Sequence, residues 1–270
     1  MLAEQMFPRY LMSEQKKKKG FRFNPKLTIT IVIVILVAAL GIGLILNYRR
    51  NNDEQKITAK NAKTTAAAST AASTLPAAAS DINSYTYLLN KDTASLDPTY
   101  VPSDLADPEN VQSTSSVFEI RAEAATQLEA MVKAASDAGI TLYVSSGYRS
   151  YDDQDKLYSS QVQLLTEAKA ITACEKAGYS EHQLGLAVDL TDDVNTTSQT
   201  EAFADTDAGK WLYEHAHEYG FILRYPKGKE SITKYNFMPW HYRYVGTDTA
   251  NAMYAISPDE TMEEYFSSSN

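Results

Sequence analysis

The stretch SEHQLGLAVDL, from Ser180 to Leu190, places a histidine and an aspartate seven positions apart, with a glycine between them. The apolar run Leu186 to Val188 leads into the acid, which predicts a loop that enters a buried strand. His182 is then expected in the loop and Asp189 near the far end of the strand. Imidazole and carboxylate together suit Zn²⁺, and a catalytic zinc normally takes three protein ligands and keeps one position open. A third ligand must come from another part of the chain.

The best candidate for the third ligand is His241, in the segment PWHYRYVG, where a histidine again lies beside β-prone aromatic residues. An isolated histidine beside apolar residues is more often a hydrogen-bonded structural residue than a ligand. That structural interpretation is favoured for His215 and His217, which lie on a predicted helix. The metal interpretation is favoured for His182 and His241, because both contexts occur together with Asp189.

Composition restricts the class of protein. The chain has 270 residues, of which 44% are hydrophobic and 22% charged, enough for one sizeable core plus appendages. Residues 1–82 carry 12 Lys/Arg against 5 Asp/Glu, which leaves 13 against 29 for the remainder. The globular part is therefore acidic, and we expect no nucleic-acid partner. Cys174 is the only cysteine, so no intrachain disulfide can form. A zinc site must use histidine and carboxylate.

The N-terminal region contains a candidate membrane span. Leu27 to Leu46 is a run of twenty uncharged, mostly aliphatic residues, which matches the thickness of the hydrocarbon core. Basic residues are denser before the run than after it, which favours a cytoplasmic tail over residues 1–26 and an exported C-terminal part. A cleaved signal peptide is the alternative, but the run is long for one and no small-x-small site follows directly. We therefore expect a single-pass anchor in the cell membrane.

The rest of the chain divides into three parts. Residues 47–80 are rich in Ala, Thr and Ser without apolar periodicity, which indicates a flexible stalk. Residues 81–116 remain polar but contain tyrosines, leucines and prolines, which favours an irregular arm packed on the domain. Residues 117–270 form the domain proper.

The domain mixes predicted helices and strands. Apolar residues at helical spacing predict a helix from Ile120 to Ala135 that Gly139 closes. Residues 141–144 predict a short strand, and Ser150 can cap the helix after it. Further predicted elements are a helix over Trp211–Tyr219, a strand over Phe221–Leu223 and a closing helix that starts at the capping box Ser257–Glu260. Without strict βαβ alternation, this order predicts an α+β fold: a small antiparallel sheet flanked by helices with a zinc cleft, preceded by one transmembrane helix.

Four motifs in order give the domain a resemblance to a known family. They are GYRS followed by Gln154, SEHQ followed by GLAVD, YGFILRYP, and PWHYRYVG. Over residues 117–246 the set resembles the zinc D-alanyl-D-alanine carboxypeptidases of the VanY type. One of these motifs alone would be weak evidence, whereas four in the same order are specific.

The resemblance implies roles for five residues. It implies that His182, Asp189 and His241 bind Zn²⁺. It also implies that Arg149 contacts the substrate and that Gln154 lines the same pocket. A guanidinium fork suits the terminal carboxylate of a peptide, although Arg149 could instead pair with an acid of this acidic domain. The implied substrate is a peptidoglycan stem peptide, which would lose its terminal D-alanine.

The sequence departs from the family pattern at Met238, where such enzymes carry the glutamate that serves as general base. Methionine cannot exchange a proton. General-base catalysis contributes roughly 10² to 10⁴-fold, so its loss raises the barrier by about 3 to 5 kcal/mol. Glu181 is no obvious replacement, since family members that have the base carry an acid there too, and Glu230 lies in a predicted exposed loop. A Met238→Glu version is expected to release D-alanine roughly tenfold faster or more.

Two functions therefore remain open at the level of sequence. The first is a membrane-anchored zinc carboxypeptidase that acts weakly on stem peptides, favoured by the intact metal ligands and Arg149. The second is a silent relative that binds peptidoglycan or another wall protein without cleaving it, favoured by Met238. A deliberate substitution at this position that traps substrate is a third explanation. The sequence does not decide between D,D and L,D bonds.

Overall fold

The structure is a computed structural model that describes residues 77–93, 95–114, 118–193 and 197–268. The predicted cytoplasmic tail (1–26), the predicted transmembrane helix (Leu27 to Leu46) and most of the predicted stalk lie outside the described residues. Among the helices that are described, none is long and apolar enough to cross a bilayer.

Short helices and strands follow one another irregularly along the chain. The strands are β1 (Leu105–Ala106), β2 (Ile120–Arg121), β3 (Tyr143–Ser146), β4 (Ala187–Thr191), β5 (Phe221–Leu223) and β6 (His241–Tyr244). The helices are α1 (Ala77–Ser80), α2 (Ala122–Asp137), α3 (Tyr151–Leu165), α4 (Glu167–Ala173), α5 (Asp207–His215), α6 (Glu230–Thr233), α7 (Thr247–Ile256) and α8 (Met262–Ser268). Two 3₁₀ turns cover Glu201–Asp205 and Ala216–Tyr219.

A four-stranded antiparallel sheet in the order β3-β4-β6-β5 carries the functional residues, and β1 pairs with β2 in a separate two-stranded sheet. The α+β class with a small antiparallel sheet is therefore confirmed. The two central strands, β4 and β6, are buried at every position. Their register places Asp189 directly opposite His241. A slip of one residue would turn one of these side chains to the other face of the sheet.

Most predicted elements are present, with shifted bounds. Helix α2 covers most of the predicted span but starts at Ala122, because Ile120 pairs in β2, and Gly139 follows the helix with φ +82°. Strand β3 extends through Ser146, because the ladder with β4 continues past a register irregularity to Asp189. For the same reason β4 runs on to Thr191, so Asp189 lies in the middle of the strand rather than near its far end. The predicted helix up to Tyr219 changes to a 3₁₀ turn after His215.

The closing helix starts later than the sequence predicted. Thr261, rather than Ser257, is the residue whose hydroxyl accepts from the backbone N–H of Glu264, at 3.2 Å, and the Glu264 carboxylate accepts from the N–H of Thr261, at 3.3 Å. Both segments have the capping-box spacing. The later start is preferred because it buries Met262 and Phe266, one helical turn apart, in the core.

The arm (residues 81–114) is mostly irregular, and buried contacts hold it to the sheet. Leu89 is fully buried and belongs to the main core cluster. The guanidinium of Arg243 on β6 donates to the backbone carbonyls of Tyr85 and Tyr87, at 2.9 and 3.0 Å. Residues 77–80, assigned to the stalk from sequence, form the short helix α1, whose Ala79 is also buried.

A buried charge cluster joins the arm, the sheet and α8. Glu181 Oε1 accepts from Arg224 Nε at 2.8 Å and from Arg243 Nη1 at 2.7 Å, and both arginines are fully buried. The other side of Arg224 donates to both carboxylate oxygens of Glu263, at 2.8 and 2.9 Å. Burial alone would raise the pKa of Glu263, but the charge of Arg224 outweighs it and lowers that pKa. Each charge in the cluster is compensated by another.

We expect Glu263→Gln to lower the free energy of unfolding by about 3 kcal/mol, since removing one partner of a buried ion pair leaves the other uncompensated. The matched control is Asp137→Asn, which removes the exposed Lys133–Asp137 pair and should cost less than about 0.5 kcal/mol. Urea unfolding near neutral pH measures both. The folded-state pKa of Glu263 lies below its ordinary 4.5, so the deficit should be complete above about pH 4.5 and shrink as the pH falls further. Equal losses from the two variants would contradict a special contribution of the cluster.

Candidate metal and peptide site

His182, Asp189 and His241, three side chains from two distant segments, meet at the base of a cleft. All three are buried, and their potential ligand atoms lie within 4.8 Å of one another. Asp189 Oδ1 lies 3.4 Å from His182 Nε2 and 3.1 Å from His241 Nδ1. The structure therefore brings together the three residues that the sequence identifies as candidate zinc ligands.

Local structure explains why His182 reaches the sheet. It lies in a tight turn in which the N–H of Gly185 donates to the His182 carbonyl at 3.1 Å. Gly185 has φ +63°, a conformation that favours glycine. Its carbonyl accepts from the N–H of Arg121 on β2, at 2.9 Å, so the two-stranded sheet anchors the turn. The sequence SEHQLG thus forms the loop that the pattern predicts.

The hydrogen-bond partner of His182 indicates that the site fits a cation. The carbonyl of Gly147 lies 2.7 Å from His182 Nδ1, and because a carbonyl only accepts, Nδ1 carries the proton. Burial and the charge of Arg149 lower the pKa of His182, which keeps the ring neutral. Its Nε2 then directs a lone pair at Asp189 Oδ1, and two acceptors facing each other repel. A divalent cation between them removes that repulsion, and two imidazoles with one carboxylate are a zinc ligand set.

The close approach at Gly147 depends on its missing side chain. A Cβ at this position would lie 2.6 Å from the backbone oxygen of Glu119 and 2.8 Å from Cδ2 of Phe118. Any larger residue would push the 147 carbonyl away from His182. The glycine of the GYRS motif therefore orients a metal-site histidine, a role that its sequence context does not reveal.

Glu181 lies behind His241, outside the cleft. Its Oε2 is 3.7 Å from His241 Nε2, and its Oε1 is held by the two buried arginines. Burial would raise the pKa of Glu181, but the charges of Arg224 and Arg243 hold it well below its usual range. Burial would lower the pKa of His241, but Asp189, Glu181 and the charge of Glu175 raise it to about 9. A carboxylate behind a ligand histidine orients the ring and increases its basicity.

The second oxygen of Asp189 faces the cleft wall. Oδ2 accepts from Gln199 Nε2 at 3.0 Å and lies 3.8 Å from Arg149 Nη2. Oδ1 lies 3.1 Å from His241 Nδ1, so both oxygens of Asp189 are engaged.

Arg149 is held by two side chains that orient its guanidinium. Nη1 donates to Gln154 Oε1 at 2.6 Å, and Nη2 donates to Ser146 Oγ at 2.5 Å. Gln154, fully buried on α3, donates in turn to the backbone carbonyl of Glu175 at 2.6 Å. The sequence alternative that Arg149 pairs with an acid is also seen, since its nearest carboxylate is Asp189. The hydrogen bonds to Gln154 and Ser146 and the contact with Asp189 together place the guanidinium beside the candidate metal ligands.

Met238 lines the same cleft as the three metal ligands and Arg149. It is buried and packs with Tyr225 and Tyr235. Trp240 is half-buried beside it and also lines the cleft. The side of the cleft that Met238 and Trp240 form next to His241 is therefore apolar and aromatic.

The remaining sequence-predicted residues lie away from the chemistry or have structural roles. His215 pairs with Glu218, and His217 contacts Asn251 and stacks on Tyr254, outside the cleft. Cys174 is buried, and burial together with the charge of Glu175 raises the pKa of its thiol to about 12. Glu230 is exposed at the start of α6 and accepts from the Gly228 N–H.

Sequence reasoning missed Ser146, Gln199 and Glu175, all of which contribute to the cleft or to its side chains. Ser146 directly precedes the GYRS motif, which is a signal that could have been used. Gln199 and Glu175 follow no recognisable pattern. Only the folded chain brings them to Asp189 and to the cleft.

Comparisons with known proteins agree with this geometry. The family description "VanY: D-alanyl-D-alanine carboxypeptidase" matches residues 118–247. YodJ of Bacillus subtilis (strain 168), a candidate carboxypeptidase, is 46% identical over 182 residues, which cover 66% of each chain. A D-alanyl-D-alanine carboxypeptidase of Enterococcus faecalis is 36% identical over 136 residues, which cover 47% of this chain and 48% of the relative. The chain thus spans about half to two thirds of these relatives.

Solved structures show the same fold at higher coverage. The LdcB LD-carboxypeptidase superposes with a TM-score of 0.62 at 43% identity, over 68% of this chain and 86% of LdcB. A mutant of the vancomycin resistance D,D-pentapeptidase VanY, in complex with Zn(II), superposes with a TM-score of 0.56 at 30% identity, over 68% of this chain and 98% of the other. VanYB in complex with D-alanine-D-alanine gives the same score and identity and is 97% covered.

We expect the full chain, dialysed after zinc loading, to retain about one zinc ion and His182→Ala to retain almost none, since a three-ligand site loses a ligand. His217→Ala is the matched control, because its histidine contacts only Asn251 and Tyr254 in the described structure. Glu181→Gln should weaken zinc binding by about 10 to 100-fold through the loss of support for His241. Elemental analysis and a competing chelator measure these values. A full zinc equivalent in His182→Ala would rule out the proposed ligand set.

Proposed function

Because this chain belongs to the VanY family of D-alanyl-D-alanine carboxypeptidases, we propose that it is a zinc carboxypeptidase that removes the terminal D-alanine from peptidoglycan stem peptides. The relatives act on D-Ala-D-Ala or are named L,D-carboxypeptidases. Both reactions release a D-alanine with a free carboxylate, so one carboxylate anchor serves either. We also propose, rather than observe, the identity of the substrates and the division of this chain into tail, anchor, stalk, arm and domain.

One observation carries the proposal: the guanidinium of Arg149 lies beside the metal ligands. Its Nη2 is 3.8 Å from Asp189 Oδ2. A peptide whose terminal carboxylate binds Arg149 would therefore have its last peptide bond close to the candidate metal ligands. This proximity favours removal of a single C-terminal residue over cleavage within a chain.

The residues of the cleft have separate tasks in this proposal. His182, Asp189 and His241 would hold Zn²⁺, which supplies a Lewis acid that polarises the scissile carbonyl. Arg149 binds the terminal carboxylate through charge-assisted hydrogen bonds. Gln154 and Ser146 keep the guanidinium in one orientation, which reduces the entropy lost when the peptide binds.

Met238 is the part of the cleft that favours the second candidate function. In our interpretation it occupies the position of the family's glutamate base, and a thioether cannot take a proton from the attacking water. On this ground alone the activity would be weak, or the chain would be a regulatory pseudoenzyme that binds peptidoglycan without cleaving it. The two functions differ in one measurable respect: only the first releases D-alanine.

The proposal includes the location of the reaction. Leu27 to Leu46 would anchor the chain in the cell membrane with residues 1–26 in the cytoplasm. The domain would then face the cell wall, where stem peptides are found. The charge asymmetry across this segment supports that orientation.

We expect the full chain to release D-alanine from peptides that end in D-Ala-D-Ala or in a D-alanine that follows a residue of L configuration. Most of this turnover should be lost when a chelator removes zinc. Arg149→Gln should lower kcat/KM about 10 to 100-fold, since a charge-assisted hydrogen bond contributes about 1.5 to 3 kcal/mol.

The matched control for Arg149 is a peptide whose terminal carboxylate is an amide. The unmodified chain should discriminate strongly against the amide, whereas Arg149→Gln should treat the two peptides nearly alike. Peptide binding without any D-alanine release would favour the silent function. Undiminished discrimination by Arg149→Gln would show that another residue binds the carboxylate.

A further inference from the structure

Glu175 is an acid in the cleft to which the functions described above assign no role. It follows α4, five residues before the start of the SEHQ motif, and only 4% of it is exposed. It lines the same cavity as the three metal ligands, Arg149 and Met238. Charged residues are almost never this buried unless they are paired.

The position of Glu175 is fixed relative to the substrate anchor. Its backbone carbonyl accepts from Gln154 Nε2 at 2.6 Å, and Gln154 Oε1 accepts from Arg149 Nη1 at 2.6 Å. The chain Arg149–Gln154–Glu175 therefore links the guanidinium that binds the peptide terminus to the segment that carries the acid. A buried glutamine satisfied at both ends is a rigid connector.

The side chain of Glu175, by contrast, is not fully paired. Within the described part of the chain, one of its carboxylate oxygens, Oε1, is buried and has no hydrogen-bond partner. The other buried acids each have partners: Asp189 contacts two histidines and Gln199, and Glu181 Oε1 binds two arginines, although Glu181 Oε2, which lies outside the cleft, also has no hydrogen bond. A buried carboxylate oxygen without a partner costs free energy, so its retention in a cleft indicates a ligand that supplies the missing hydrogen bond.

The other residues that line the cleft indicate what Glu175 can do there. Among the described residues that line it, the only acids are Asp189 and Glu175. Asp189 is committed to the metal ligands and to Gln199, and position 238 carries a thioether. Glu175 is therefore the one carboxylate in the cleft that is free to accept a proton.

We propose that Glu175 is the general base of this chain, replacing the carboxylate that position 238 lacks. This inference rests on the proposed carboxypeptidase function. As the water oxygen bonds to the scissile carbonyl carbon, Glu175 accepts one proton of that water. When the C–N bond breaks, Glu175 gives the proton to the departing nitrogen of D-alanine and becomes a carboxylate again. Protons and electrons balance without any further reactant.

The test compares four versions of the full chain: unmodified, Glu175→Gln, Met238→Glu and the double variant. Glu175→Gln keeps the size of the side chain but removes its ability to accept a proton, and we expect kcat to fall by about 10² to 10⁴-fold. Zinc content and the unfolding temperature should remain as in the unmodified chain. The double variant should have a kcat at least about tenfold higher than that of Glu175→Gln, because Met238→Glu returns a carboxylate to the cleft.

Two further variants separate a base from a structural acid. Glu167→Gln removes an exposed acid at the start of α4 and should leave kcat unchanged. Glu175→Asp retains the carboxylate with a shorter reach, so its kcat should lie between those of the unmodified chain and Glu175→Gln. If Glu175→Gln fails to fold or to bind zinc, the Asp variant decides: full loss of kcat with normal zinc content and folding overturns the proposal.

Other outcomes also overturn the inference, and they separate it from the proposed function. If Glu175→Gln keeps more than half of the kcat of the unmodified chain, Glu175 is not the base. The same follows if the double variant has no higher kcat than Glu175→Gln alone. If the unmodified chain releases no D-alanine but Met238→Glu does, the inference fails while the substrate assignment stands. If neither releases D-alanine from any peptide offered, both fail.

Discussion

The antiparallel register between β4 and β6 is the constraint on which the functional site depends. It places Asp189 opposite His241, and only in this register do a carboxylate and an imidazole 52 residues apart share one face of the sheet. Both strands are buried throughout, so a slip would expose apolar side chains and bury the wrong ones. The metal centre therefore depends on the same packing that stabilises the core.

Buried charge gives this centre its rigidity. Glu181 connects Arg224, Arg243 and, through its second oxygen, His241, while Arg224 reaches α8 through Glu263. Taking these groups out of water has a large cost that only mutual pairing offsets. The same cluster places the Glu181 carboxylate behind the ring of His241, and Arg243 binds the arm to the sheet.

The acids near the cleft differ in function because their environments differ. Two arginines bind the carboxylate of Glu181 away from the cleft, and Asp189 lies between two histidines as a candidate metal ligand. Glu175 lines the cleft with one buried oxygen that has no hydrogen-bond partner among the described residues. Chemically similar side chains thus become a support, a ligand and a candidate base according to their neighbours.

The local patterns of the sequence were enough to predict the α+β class, the helix after β2, the capping of α3 by Ser150 and the residues of the metal centre, because these depend on short-range periodicity and on motif order. The capping box was placed one turn too early, since two segments have its spacing and only core packing at Met262 and Phe266 selects one. Gln199 and Glu175 have no local signature at all, and the GYRS motif does not reveal what Gly147 contacts. Their roles were decided by the tertiary structure, because a carbonyl 2.7 Å from a histidine, or a carboxylate left without a partner, exists only after distant segments have packed together.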